Sequence, residues 1–322
     1  MKKFAVFGII FVFVFLPYVS CKKEAEAPKA GSASVDDMLA LVPEDAMGLF
    51  FIDFHKAMSM EIINKAIQED KNYQKYQEFI QVTGIDPQED IYFVTVAVTE
   101  SAEKPKGGAV INMKYDKGAL LNVIKTKAAE EGQEIKEQDY SGVPLYSVWE
   151  EKGEESYFSF LDDSNIIVGN DVVVKSIIDV LQKKKQNILK NKALSDLISK
   201  TNRNAMIWGA MLIPEKAMSQ VASQNPMLSN LQAINAASMF FDYKDKNLIT
   251  EIKVMSSDEA KVKEVADLLN GVKAMGSMAS AQKPEIGELI KSIEITSAPD
   301  HVKIYAKIPE ELIRKLKEEK KS

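Results

Sequence analysis

The hydrophobic pattern divides the chain into a leader, a polar stretch and a long body. Phe4 to Leu16 is an uninterrupted apolar run of 13 residues between Lys2-Lys3 and Pro17. A helix needs about 20 residues to cross a bilayer, so this run is short for a permanent span and suits the core of a signal peptide. Lys22 to Ser34 (KKEAEAPKAGSAS) is small and polar with no apolar period, and it reads as a flexible tether. At ~3.3 Å per residue it reaches at most about 43 Å.

From Val35 onward, apolar runs with strand character alternate with runs at helical spacing. Leu49–Phe54, Ile91–Val98 and Gly107–Met113 read as strands. Met58–Val82 carries Ile62, Ile63, Ala66, Ile67, Tyr73, Tyr76, Phe79 and Ile80 at three-and-four spacing, which predicts one long amphipathic helix stopped by Gly84. Asp116–Glu131 and Val172–Lys185 predict helices around three short strands at Pro144–Trp149, Ser156–Leu161 and Asn165–Gly169. Further on, Ala205–Leu212 reads as a strand and Pro214–Val221 as the start of a helix. Ser238–Tyr243 and Leu248–Met255 form a hairpin across Asp245, Lys246 and Asn247. Asp258–Ala279 is the clearest helix, with Val262, Val265, Leu269, Val272, Gly276 and Ala279 in one stripe. A last hairpin, Ile290–Thr296 with Val302–Ile308, precedes a terminal helix opened by Pro309.

These elements predict an α+β fold with antiparallel sheets, arranged as two related halves of βαββαβ, ferredoxin-like order. The expected division is a signal peptide over 1–20, a lipidated cysteine and tether over 21–35, a first half over 36–187 and a second over 188–322. A faint echo supports duplication: Ala46-Met47 precedes Lys56-Ala57-Met58 as Ala205-Met206 precedes Lys216-Ala217-Met218.

Composition adds limits. Of the 322 residues, 46% are apolar and 27% charged, which is ordinary for a globular chain able to build a core without staples. The net charge is −6, or −8 once Lys2 and Lys3 leave with the leader, and an acidic body repels phosphate backbones. Nucleic acid is therefore not an expected partner. With a single cysteine, no internal disulfide can form.

That cysteine gives the leader its meaning. Tyr18-Val19-Ser20-Cys21 resembles a bacterial lipobox, in which the thiol receives diacylglycerol, the leader is cut before the cysteine and the new amine is acylated. Tyr18 departs from the usual leucine. The competing cleavage site at Ala25-Glu26-Ala27 is blocked by Pro28. The resemblance implies a lipid-anchored envelope protein, and Lys22, in place of the aspartate that marks inner-membrane retention, favours the outer membrane. Two acyl chains hold a protein firmly where one holds it marginally. The body resembles a class of uncharacterised exported bacterial proteins through Pro43-Glu44-Asp45-Ala46 and Gly84-Ile85-Asp86-Pro87.

The remaining candidates for chemistry are sparse. Asp53 and His55 would share a strand face, yet no nucleophile motif accompanies them, and a polar strand end is the expected reading. His301 falls in the turn Pro299-Asp300-His301. Asp86–Asp90 and Asp162–Asn165 read as caps and turns, and Gly107-Gly108 lacks the spacing of a phosphate loop. Eight of the 14 methionines lie between Met206 and Met278, including Met275 and Met278 at helical spacing. Without Cys or His beside them they read as core or groove lining rather than as a copper site. Tyr140, Tyr146, Trp149, Tyr157 and Phe158 cluster as sheet packing or as a ligand- or partner-facing patch.

No catalytic residue, metal or cofactor is expected. The function that follows is a non-enzymatic envelope lipoprotein acting through a protein partner or as a structural module. The alternative is a periplasmic binding module for an apolar ligand or lipid, motivated by the Met-rich second half.

Overall fold

The computed structural model describes residues 31, 33–100, 105–130, 132–151, 154–224, 231–280 and 283–319. The predicted leader, Cys21 and most of the tether lie outside them. The fold is α+β, with twelve strands and twelve α-helices among the described residues. It divides into two compact units. The first holds the chain up to Ala46 together with Phe51–Ile188, and the second holds Met47–Phe50 and everything from Leu189.

In the first unit, α1 (Val35–Leu39) leads into β1 (Ala46–Asp53). Ser34 and Asp37 cap α1 reciprocally: the Ser34 hydroxyl accepts from the Asp37 amide at 3.2 Å, and the Asp37 carboxylate accepts from the Ser34 amide at 2.8 Å. Four short helices follow, α2 (Phe54–Met58), α3 (Glu61–Gln68), α4 (Tyr73–Thr83) and α5 (Pro87–Asp90). The single helix expected over 58–82 is thus broken. Asp70 accepts from both the amide and the side chain of Asn72, a local turn that competes with the helical ladder between α3 and α4. Gly84 ends α4 in the left-handed conformation at φ 69°, as its position predicts.

The hairpin β2 (Ile91–Thr99) and β3 (Lys106–Met113) precedes α6 (Lys117–Glu130). Strands β4 (Glu137–Tyr140), β5 (Val143–Glu151), β6 (Glu154–Phe160) and β7 (Asn165–Asn170) follow, and α7 (Asp171–Leu181) closes the unit. The strand order is β1-β2-β3-β7-β6-β5-β4, and every pair from β2 to β4 is antiparallel. After α6 the chain runs to the far edge and meanders back, so that its last strand docks on β3. This is not the ferredoxin-like order, in which the first strand would sit between later ones. The periodicity dictated the elements but not which edge each would find.

Strand alternation gives this sheet two different faces. Val110 of β3, Ile167 of β7 and Tyr157 of β6 share one face, covered by α7. Asn170 caps α7 by accepting from the Val172 amide, and Val173, Val174, Ile177 and Ile178 are fully buried against the strands. At ~25 cal/mol per Å², each such side chain contributes about 1.5–3 kcal/mol. The opposite face carries Ile111, Met113, Phe158, Phe160, Ile166 and Val168, and it meets α4 and α6.

The second unit contains a 3₁₀ turn ending at Lys190, then α8 (Lys192–Ser199), β8 (Ile207–Leu212), α9 (Glu215–Gln224), β9 (Ala236–Lys244) and β10 (Asn247–Met255). Next come α10 (Glu259–Ala279), α11 (Pro284–Lys291), β11 (Ile293–Ala298), β12 (His301–Pro309) and α12 (Glu310–Glu319). Its strand order is β11-β12-β10-β9-β8, with Met47–Phe50 of β1 beside β8. Here too a hairpin leads through a helix to a returning last strand, β12, that docks on the hairpin's second strand. The two units therefore share a strand plan, although it is not the predicted one. Asp245 and Lys246, both at positive φ, make the two-residue turn between β9 and β10, and Asn247 already belongs to β10.

Helix α10 carries two apolar regions. Val262, Val265 and Ala266 are buried with Ile234 and Val302 in a core. Toward the C-terminus, Val272, Met275 and Met278 are exposed, at 53%, 60% and 79%.

Candidate functional site

The apolar face of the first unit is not fully packed. A cavity of about 150 Å³ lies between that face and the helices α4 and α6. Ile91, Ile111, Met113, Phe158, Phe160, Ile166 and Val168 line it from the strands. Phe79 and Thr83 line it from α4, and Leu120, Val123, Ile124, Lys127 and Ala128 from α6, with Ile85 and Ile135 completing the wall. Leu120, Leu121 and Ile124 of α6 pack against this core, and α6 also meets α4, whereas α7 on the other face packs on β2, β3, β6 and β7.

Only two of the lining side chains are polar. The Thr83 hydroxyl donates to the Phe79 carbonyl at 2.7 Å and accepts from the Ile85 amide at 3.1 Å, so it is committed to the backbone. Lys127 is 3% exposed and pairs with Glu130. An apolar space of roughly this size can take up a small hydrocarbon. What the arrangement can do is bind carbon; it presents no nucleophile beside a base.

Phe158 and Phe160 of the wall belong to an aromatic cluster. Tyr146 stacks on Phe158 at 5.0 Å between ring centroids, Phe158 meets Phe160 edge-on at 5.7 Å, and Tyr115 stacks on Phe160 at 5.5 Å. Burial and the acids Asp162 and Asp163 push the Tyr115 hydroxyl well above the usual phenol range, and it donates to the Asp162 carbonyl. Beyond the wall, Tyr76 of α4 donates to Asp86 at 2.7 Å; burial, followed by that bond, likewise raises its hydroxyl.

The residues singled out by sequence fall elsewhere. Cys21 lies outside the described residues. Asp53 caps α2, accepting from the Lys56 amide at 2.8 Å, while the His55 ring stacks on Tyr92 at 5.7 Å; the two do not form a catalytic pair. His301 opens β12, with Nδ1 2.6 Å from Asp300, and that bond lowers the Asp300 carboxyl. Asp86 and Asp162 are turn and cap residues, accepting from the Gln88 amide and from the Ser164 and Asn165 amides. Among the described residues, no three His, Cys, Asp or Glu side chains gather as a metal group. Of the aromatic cluster, Tyr146 and Phe158 join the cavity-side core, Tyr157 faces the other way, and Tyr140 donates to Asp179. The Trp149 side chain lies outside what is described.

Two things escaped the sequence reading. The cavity sits in the first unit, away from the methionines expected to line a groove. Lys127 was not singled out, although its signal is legible: Leu120, Ile124, Lys127 and Ala128 place a lysine inside the apolar stripe of α6.

The described residues form an antiparallel α+β body whose first unit holds a cavity lined mostly by carbon. Residues 64–318 match the family described as "Protein of unknown function (DUF3352)", and the chain belongs to that family. No curated protein matches it. Among solved structures, it is similar to crystal form III of TP0453, at 11% identity over 86% of this chain and 96% of that one, with a TM-score of 0.50. Crystal form I of TP0453 aligns at 13% identity over 87% and 96%, with a TM-score of 0.46. At these identities the likeness to form III concerns the fold alone.

Proposed function

We propose that this chain is a lipid-anchored protein of the bacterial envelope that is not an enzyme and that binds an apolar chain in the cavity of its first unit. The observation that carries the reading is the cavity wall, in which fourteen of sixteen side chains are apolar and the one free-standing hydroxyl, Thr83, is tied to the backbone. A cavity of this size takes on the order of six carbons. Each methylene transferred from water contributes ~0.8 kcal/mol, which makes the binding reversible rather than permanent.

Anchoring rests on the lipobox-like Tyr18-Val19-Ser20-Cys21 and on the apolar leader before it. Lys22 favours an outer-membrane destination. In this reading the tether lets the body work at a membrane surface, where acyl chains are the abundant apolar ligand. Membership of a family without assigned function and the ordinary polarity of the body are compatible with it.

A second reading has its own observation. The exposed Val272, Met275 and Met278 on the last turns of α10 form an apolar stripe of the kind that meets a protein partner. The two readings concern different units and do not compete.

Native mass spectrometry of the full chain, released gently from membranes, tests the first reading. The expected result is an adduct of one acyl-chain mass beyond the covalent anchor. A mass equal to that of the anchored chain alone contradicts it.

A further inference from the structure

The cavity carries charge at its wall as well as carbon. Lys127 lines the cavity with its side chain 4% exposed, and its partner Glu130 is 45% exposed, so the ion pair joins the apolar lining to the surface. Two more lysines of α6 stand over rings of the same wall. Lys117 Nζ lies 5.4 Å from the Phe160 centroid, and Lys125 Nζ lies 5.7 Å from that of Tyr146, which stacks on Phe158. From Lys117 to Ala129 the helix carries three lysines and no acid, on a chain whose net charge is −6. Acids stand nearby as well: Glu130 pairs with Lys127, Glu137 lies 3.9 Å from Lys125, Asp116 precedes Lys117, and Asp162 and Asp163 act on Tyr115 beside Phe160.

Resting on the apolar-ligand reading, we infer that the occupant is a single-chain amphiphile with an anionic head, its chain in the cavity and its head at Lys127. Volume limits what is enclosed: the cavity takes on the order of six carbons of one chain, and the rest of a longer chain lies outside it. Charge selects the head. The ammonium is fixed in a water-poor wall, where a charge-assisted hydrogen bond is stronger than at the surface. Glu130, being nearly half exposed, can turn to water as a ligand carboxylate or phosphate takes its place on Lys127. A neutral ester or hydrocarbon gains the cavity but not this exchange. Lys117 and Lys125 add a positive approach to the same wall.

The test uses the full chain reconstituted in phosphatidylcholine vesicles, with palmitic acid carrying a chain diazirine and with the methyl ester of the same compound. Photolabelling mapped by mass spectrometry should place both labels on cavity residues such as Phe79 and Met113. The acid should label roughly tenfold more than the ester, as expected for one charge-assisted contact. Lys127→Met should bring acid labelling down to the level of ester labelling in the same variant, and urea unfolding of that variant reports its fold. Glu130→Gln should raise acid labelling. Competition by unlabelled palmitate or by lysophosphatidate supports the inference and distinguishes a carboxylate head from a phosphate. Equal labelling of the cavity by acid and ester overturns the anionic head and leaves the apolar reading standing. Labelling of the cavity by neither overturns both.

Discussion

Lys127 pairs with Glu130 one helical turn on, and the pair ties a buried wall of an apolar cavity to the protein surface. Few lysines are so enclosed, because an ammonium loses much of its hydration on burial. An apolar residue of similar length would fill the same place at no such cost. Lys127→Met is therefore expected to leave stability within about 1 kcal/mol of wild type, whereas Lys127→Ala should cost about 1–3 kcal/mol through lost packing. Urea unfolding of the two variants separates the cases.

Filling the cavity should separate stability from binding. Val123 faces it from α6, and Val123→Phe places a ring where the ligand would lie. The expected outcome is unfolding within about 1.5 kcal/mol of wild type, because there is room for the added carbon. Uptake of a fluorescent apolar probe should fall at least several-fold. Unfolding far below wild type would mean that the space is already filled.

Two glycines should behave differently. A Cβ on Gly209 would lie 2.4 Å from Phe50 Cδ1 and 2.9 Å from the Leu49 carbonyl, so Gly209→Ala must displace β1 or a ring. A cost of about 1–3 kcal/mol is expected. Gly84 at φ 69° has nothing within 4 Å of such a Cβ, and Gly84→Ala should cost only about 1 kcal/mol of backbone strain. Thermal unfolding of both variants checks the order.

Stability should fall at high pH through buried tyrosines. Tyr157 is pushed up to about 12, first by its hydrogen bond to Glu155 and then by burial, while Tyr76 and Tyr115 are raised chiefly by burial. A phenol whose folded pKa lies above its unfolded value of 10.0 contributes stability that is complete below pH 10. That contribution is lost as pH rises through about 12 for Tyr157. Tyr157→Phe should reduce the loss between pH 10 and 12, as read by urea midpoints across that range.

Anchoring makes a separate prediction. Cys21→Ala should abolish metabolic labelling by palmitate and release the body from membranes. A variant that stays membrane-bound, beside a wild type that takes no label, would identify Phe4–Leu16 as an uncleaved span instead.

Much of the element list was legible because local rules and tertiary structure agree. Asp258 caps α10, Asn170 caps α7 and Gly84 ends α4, each at a position that periodicity and cap chemistry indicate. The break at Asp70–Asn72 was missed because apolar spacing runs through it, and only the Asx turn shows the interruption. Strand β4, with its sequence Glu-Gln-Asp-Tyr, has no apolar signature; it is a strand because β5 offers an edge. Helix α8 is only eight residues long, and its signal is the Asn191 cap with Leu194 and Ile198 buried four residues apart. The cavity was not legible at all. It lies between α4, α6 and the strands, elements distant in sequence. Lys127 was the trace it left, a charge in an apolar stripe.

The measurement that bears most directly on the account is native mass spectrometry of wild-type and Val123→Phe chains prepared side by side from membranes. An acyl-chain adduct is expected on the wild type beyond any anchor mass, with its loss in Val123→Phe and the fold intact. A wild type without an adduct, or an adduct that Val123→Phe retains in full, would contradict it.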